Sequence, residues 1–202
     1  MLGSKEENGS KMGGISRIQR MFKVRHQRIF YLDNVNDIIS VNAKVEIDIQ
    51  EVTFENVESV TDFRTREHVA TFRRYLEQGQ YGIYAWLDSK VVGHAWAKAC
   101  VWQRCRVNRY MDIHQGEALI HYCNVSEEQR GENVYPAMLV RLCQKLFCEA
   151  NVTKVIIDTS PNNKASLQGI LKVGFKPVGL GLYVQFGRWL LFEHVEDLHK
   201  KT

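Results

Sequence analysis

The segment Val125-Ser-Glu-Glu-Gln-Arg-Gly-Glu-Asn-Val-Tyr-Pro-Ala-Met-Leu139 passes from an apolar strand pattern into a helix through a polar loop that holds one glycine, Gly131. The first backbone N–H groups of a helix have no intrahelical partner, and the macrodipole adds about half a positive charge at that end. Such a turn suits an anion, a phosphate above all. Pro136 falls in the first helical turn, where its missing N–H costs nothing. A plain tight turn before a helix fits the same residues.

Strand and helix patterns alternate around this segment. Arg28–Leu32 reads as an early edge strand, and residues 45–52 alternate apolar and polar as a half-buried strand does. Residues 65–77 switch to helical spacing, with Val69, Phe72 and Leu76 on one face. Strands 81–87 and 91–102 follow, joined by a tight turn at Asp88-Ser-Lys, and after a polar loop 118–125 is another strand. A helix over 136–150, a short strand over 154–158, a helix over 163–173 ended by Gly174, and two strands within 175–195 complete the chain. The order is mixed α/β: antiparallel hairpins early, a βαβα unit late.

The 202 residues, 45% of them hydrophobic, are enough for one buried core, so a single domain over 28–202 is expected behind a basic extension, 1–27. Within the first 28 residues seven Lys and Arg face two Glu, an excess larger than the whole-chain net charge of +4. The positive charge therefore belongs to the extension rather than to a folded face, which argues against a nucleic-acid partner. Residues 1–14 read as disordered, and Ser16–Arg25 as a short basic helix. No apolar run is long enough to span a membrane and no signal core stands at the N-terminus, so a cytoplasmic protein is expected. The five cysteines, Cys100, Cys105, Cys123, Cys143 and Cys148, form no Cys-x-x-Cys pair, and free buried thiols without disulfide or metal site are expected.

The strand, the Arg130-Gly131 loop, the helix, then Asn163-Lys-Ala-Ser166 and Lys172-Val-Gly-Phe175 resemble the GCN5-related N-acetyltransferase superfamily, specifically over residues 91–195. The resemblance implies a mixed sheet of six to seven strands flanked by helices, whose fourth and fifth strands splay to admit the pantetheine arm of acetyl-CoA. It implies no metal, a pyrophosphate site on Arg130, Gly131, Glu132, Asn133, Val134 and Tyr135, and pantetheine contacts from Cys123, Val125, Asn163 and Ser166. The family loop, Gln/Arg-x-x-Gly-x-Gly/Ala, has Glu128, Gly131 and Asn133 in its slots here. Asn enters left-handed backbone more readily than most residues. Asn163 also reads as an ordinary N-cap.

Many members carry a tyrosine seven residues after that asparagine, where this chain has Ile170; Tyr183 is a replacement acid from another direction, or an ordinary half-buried tyrosine. Acetyl transfer needs a neutral amine, an aligned thioester and donors for the developing oxyanion. His121 is the titratable group of suitable pKa on the 118–125 strand, with Glu117 a fallback at its entrance; a satisfied sheet histidine is the other reading. Aromatics including Phe72, Tyr84, Trp96 and Trp189 line the acceptor pocket or belong to the core. The basic stretch Gln103–Arg109 attracts an anionic acceptor or is a solvated loop. The expected activity is acetylation of a small-molecule primary amine by direct attack, with a homodimer left open. The alternatives are a CoA- or partner-binding domain with little or no turnover, and acetylation of a protein or peptide amine.

Overall fold

A computed structural model describes residues 22–107, 111–187 and 189–197. The expected disordered stretch, and the part of the basic helix before Phe22, lie outside them. Ten strands are described: β1 (Phe22–Leu32), β2 (Asp48–Glu51), β3 (Tyr81–Leu87), β4 (Lys90–Ala99), β5 (Arg104–Arg106), β6 (Asp112–His114), β7 (Glu117–Val125), β8 (Lys154–Thr159), β9 (Lys176–Phe186) and β10 (Trp189–Asp197). The helices are α1 (Glu67–Glu77), α2 (Val134–Glu149) and α3 (Lys164–Lys172).

Eight strands form one mixed sheet in the order β10-β9-β1-β8-β7-β4-β3-β2, one strand more than the upper expectation. Every described pairing in it is antiparallel except β7 with β8. The early strand differs most from its expectation. β1 begins at Phe22, so residues 22–25 are strand rather than helix, and it is interior, paired with β8 through Arg28↔Thr159 and with β9 through Arg25↔Tyr183. A long β-rich run with apolar Ile29, Phe30 and Leu32 at its end overrides the weak helical spacing before it.

The β3–β4 turn holds Asp88 at φ 48° and Ser89 at φ 64°, the two left-handed residues of a hairpin whose twist matches its strands. Period-two alternation then splits side chains between two faces. Ile83 and Ala85 join Met138, Leu139, Leu142 and Leu146 of α2 in one core, whereas Tyr84 and Trp96 join Phe72 of α1 in another. Burying Phe72 alone contributes roughly 2–3 kcal/mol. Trp96 lies flat over Gly82, where an added Cβ would come within 2.7 Å of its ring.

The polar loop expected after β4 contains the β5–β6 hairpin, with Arg104 and Arg106 paired to Asp112. The two guanidiniums share that one carboxylate, so the hairpin keeps a net positive charge from them; Arg109 lies outside the described residues. A disulfide joins Cys100 to Cys105 across Cα atoms 5.6 Å apart, which corrects the expectation of five free thiols. The bend between β4 and β5 brings these two cysteines, five residues apart, within bonding distance. Cys123, Cys143 and Cys148 are free. No helix among the described residues is long and apolar enough to cross a membrane.

Candidate functional site

The parallel ladder runs from Glu117↔Lys154 to Ile120↔Ile157 and then stops. Two residues further, Tyr122 takes φ 50°, and the β4–β7 register shifts between His94 and Trp96. The bulge bends β7 away from β8, and a cleft of about 850 Å³ opens between them, bounded by the 129–136 loop and the start of α3.

At its mouth the loop has the geometry its sequence implied. Gly131 has φ 89°, and a side chain there would meet no atom, so backbone angle rather than space is what glycine provides. Asn133 is left-handed as well, at φ 57° and ψ 17°, and its carbonyl accepts the first helical bond of α2 from Ala137. Val134 and Tyr135 line the cleft, and their first-turn N–H groups have no intrahelical partners. Arg130 pairs at 3.1 Å with Glu127, an exposed ion pair that an arriving anion can exchange.

Two lysines that sequence reasoning missed hold this loop, and Lys172 also lines the cleft. Lys44 donates from Nζ to the Gly131 carbonyl at 2.7 Å and from its backbone to the Glu132 carbonyl at 2.8 Å. Lys172 donates to Asn133 Oδ1 at 2.8 Å. Both hold the loop through neutral oxygens and leave their charge for an anion. Lys44 gave no signal in the sequence; Lys172 opens the Lys-Val-Gly-Phe run that carries the resemblance, without a site role of its own there.

Deeper in, Asn163 caps α3, its Oδ1 accepting from Ser166 N–H at 3.1 Å, and lines the cleft. Ser166 Oγ lies 3.3 Å from the Tyr135 hydroxyl. Tyr135 reaches it by crossing Gly169, where a Cβ would fall 2.5 Å from the tyrosine ring. Burial pushes the Tyr135 phenol well above its ordinary range and the Cys123 thiol up to about 12. Cys123 therefore lines the cleft as a neutral thiol, without the character of a nucleophile. Val125 is on the same wall.

His121 lines the cleft beside the bulge, with Nε2 2.8 Å from Gln80 Oε1. Burial, reinforced by Lys98, pushes its imidazole down to about 4, away from the neutral range that made it attractive in the sequence. The other two catalytic candidates are placed elsewhere. Glu117 is at the far end of β7, paired with Lys154 at 3.2 Å and accepting from His114 N–H at 2.9 Å. Tyr183 is 1% exposed in β9, separated from β7 by β1 and β8, with its ring over Gly181. Ile170 is core. Phe72, Tyr84 and Trp96 are packed in the α1-side core, and Trp189 is 61% exposed. The described residues hold no cluster of three or more His, Cys, Asp or Glu able to bind a metal.

The sequence profile of the Acetyltransferase (GNAT) family matches residues 47–175. An acetyltransferase from the GNAT family of Colwellia psychrerythraea superposes with a TM-score of 0.58 at 17% identity, covering 82% of this chain and 56% of its own. This chain thus spans little more than half the length of that relative. A GCN5-related N-acetyltransferase from Kribbella flavida gives 0.54 at 7% identity, with 86% and 63% covered. AAC(6')-Iy in complex with the bisubstrate analogue CoA-S-monomethyl-acetylneamine gives 0.52 at 18% identity, with 65% and 91% covered. Among curated protein sequences none matches significantly.

Proposed function

Because the chain belongs to the GNAT acetyltransferase family, we propose that it transfers an acetyl group from acetyl-CoA to a primary amine of a small molecule by direct attack. One observation carries this reading: a left-handed loop with free helix-start amides opens onto the gap where β7 parts from β8, within a single cleft. The loop, Lys44 and Lys172 are suited to the pyrophosphate, and the cleft walls of Cys123, Val125, Asn163 and Ser166 to the pantetheine arm. Acetyl-CoA supplies the thioester. The raised Cys123 thiol supports attack by the amine itself rather than an acyl-enzyme. The relative bound to a CoA-linked aminoglycoside analogue supports a small-molecule acceptor.

A CoA-binding domain without turnover is the second reading, favoured by an imidazole that does not titrate near neutrality. Calorimetric titration with acetyl-CoA, followed by a thiol-release screen over amino sugars, polyamines, amino acids and peptides, separates the two. Saturable binding and release with a small amine are expected. Binding without release for any acceptor favours the second reading, and no binding at millimolar acetyl-CoA sinks both.

A further inference from the structure

The hydrogen bond between His121 and Gln80 has a definite direction. Gln80 is 8% exposed, and its own amide nitrogen donates to Gln78 Oε1 at 2.9 Å. Its backbone N–H is also fixed, donating to the Tyr75 carbonyl at 2.9 Å. With the amide nitrogen committed to Gln78, it is the amide oxygen that meets the imidazole at 2.8 Å, and a carbonyl oxygen can only accept. Nε2 therefore carries the hydrogen of the neutral ring, and Nδ1 keeps its lone pair. The Tyr75 ring meets the imidazole edge-on, 5.2 Å away at 87°, and opposes a ring flip that would exchange the two nitrogens.

We propose that Gln80 is a positioning residue that locks His121 in the Nε2–H tautomer, so that Nδ1 serves the acceptor amine as a neutral hydrogen-bond acceptor. The proposal rests on the acetyl-transfer reading of the cleft and assigns the step that reading leaves open. The amine must arrive as its free base. Its N–H donates to Nδ1, which aims the nitrogen lone pair at the thioester carbon. As the N–C bond forms and the C–S bond breaks, sulfur leaves with the bonding electron pair, and the extra proton on nitrogen passes through Nδ1 to water. The charged and titratable groups acting on His121 are Lys98 from β4, which opposes imidazolium, and Tyr75 from α1, which burial keeps neutral. Neither stabilises a stored proton, so the acid limb of the rate belongs to the amine and not to the histidine.

The test is ¹⁵N NMR of the His121 ring in the full chain, joined to pH–rate profiles with an acceptor from the screen. In the wild type Nε2 should show the protonated, pyrrole-type signal and Nδ1 the lone-pair, pyridine-type signal at neutral pH, and the acid limb should move when acceptors of different amine pKa are compared. Gln80→Leu should mix the tautomers and lower kcat about tenfold, with KM for acetyl-CoA unchanged. Gln80→Glu keeps the accepting oxygen and adds a negative charge, so it should restore the tautomer and raise the His121 pKa by about one unit or more. Failure to bind acetyl-CoA overturns the acetyl-transfer reading, and this role with it. A wild-type Nδ1–H tautomer, or wild-type kcat and pH profile in Gln80→Leu, overturns the Gln80 assignment alone.

Discussion

Asn133 shows how much one residue decides here. It stands where the loop enters α2, at a left-handed angle that costs an ordinary residue roughly 1–2 kcal/mol, and its side chain anchors Lys172. Asn133→Val should lower stability by about 1–2 kcal/mol and weaken acetyl-CoA binding, because a β-branched residue pulls the loop out of shape. Asn133→Gly should keep the fold and lose only the Lys172 contact. Thermal melts and calorimetric titration of the two variants check this, and equal behaviour would mean that the loop angle carries nothing. The choice of Asn over a β-branched residue was legible in the sequence, since only a few residue types tolerate that angle. The Gln80–His121 bond was not, because it joins residues forty-one positions apart through a strand register that only the folded sheet sets.

Elements differ in how well they were legible for the same reason. Strands and helices with strong local periodicity, such as β3, β7 and α2, lie within two residues of their expected bounds. The β5–β6 hairpin is too short to show a period, and β1 was truncated because its polar first half resembles an extension. Helix packing leaves a similar gap. Gly169 reads as a weak point in α3 until the Tyr135 ring is seen lying against it. In isolation a helix gains from Gly→Ala, but here the added methyl meets the ring at 2.5 Å. Gly169→Ala should therefore destabilise by about 1–3 kcal/mol, measured by urea unfolding. In a Tyr135→Ala background the sign should reverse, and a stabilising Gly169→Ala in the wild type would refute the contact.

The whole molecule inherits an acid sensitivity from two histidines. His94 is 1% exposed between Phe63, Phe72 and Tyr122. Burial and the nearby Arg64 push it down to about 3, while His121 stands at about 4. Well above pH 6.5 both rings are neutral folded and unfolded, and they add no pH dependence. Below it the unfolded chain takes up protons that the folded one refuses, so stability falls as pH drops toward those folded values. For His94 the slope approaches about 1.4 kcal/mol per pH unit. Urea midpoints should fall between pH 7 and pH 5, and His94→Phe should flatten the fall; an unchanged slope would remove His94 as a cause. The position of β1 bears on how this molecule is made. Its hydrogen-bonding partners, β8 and β9, both leave the ribosome long after it does, so β1 must wait as an unpaired strand with apolar Phe30 and Leu32. Such sequence-distant pairing slows closure of a sheet and exposes the strand to wrong partners. A nascent chain stalled before β8 would hold β1 ready to pair with any open edge it met, which makes this strand the expected seat of chaperone capture during synthesis.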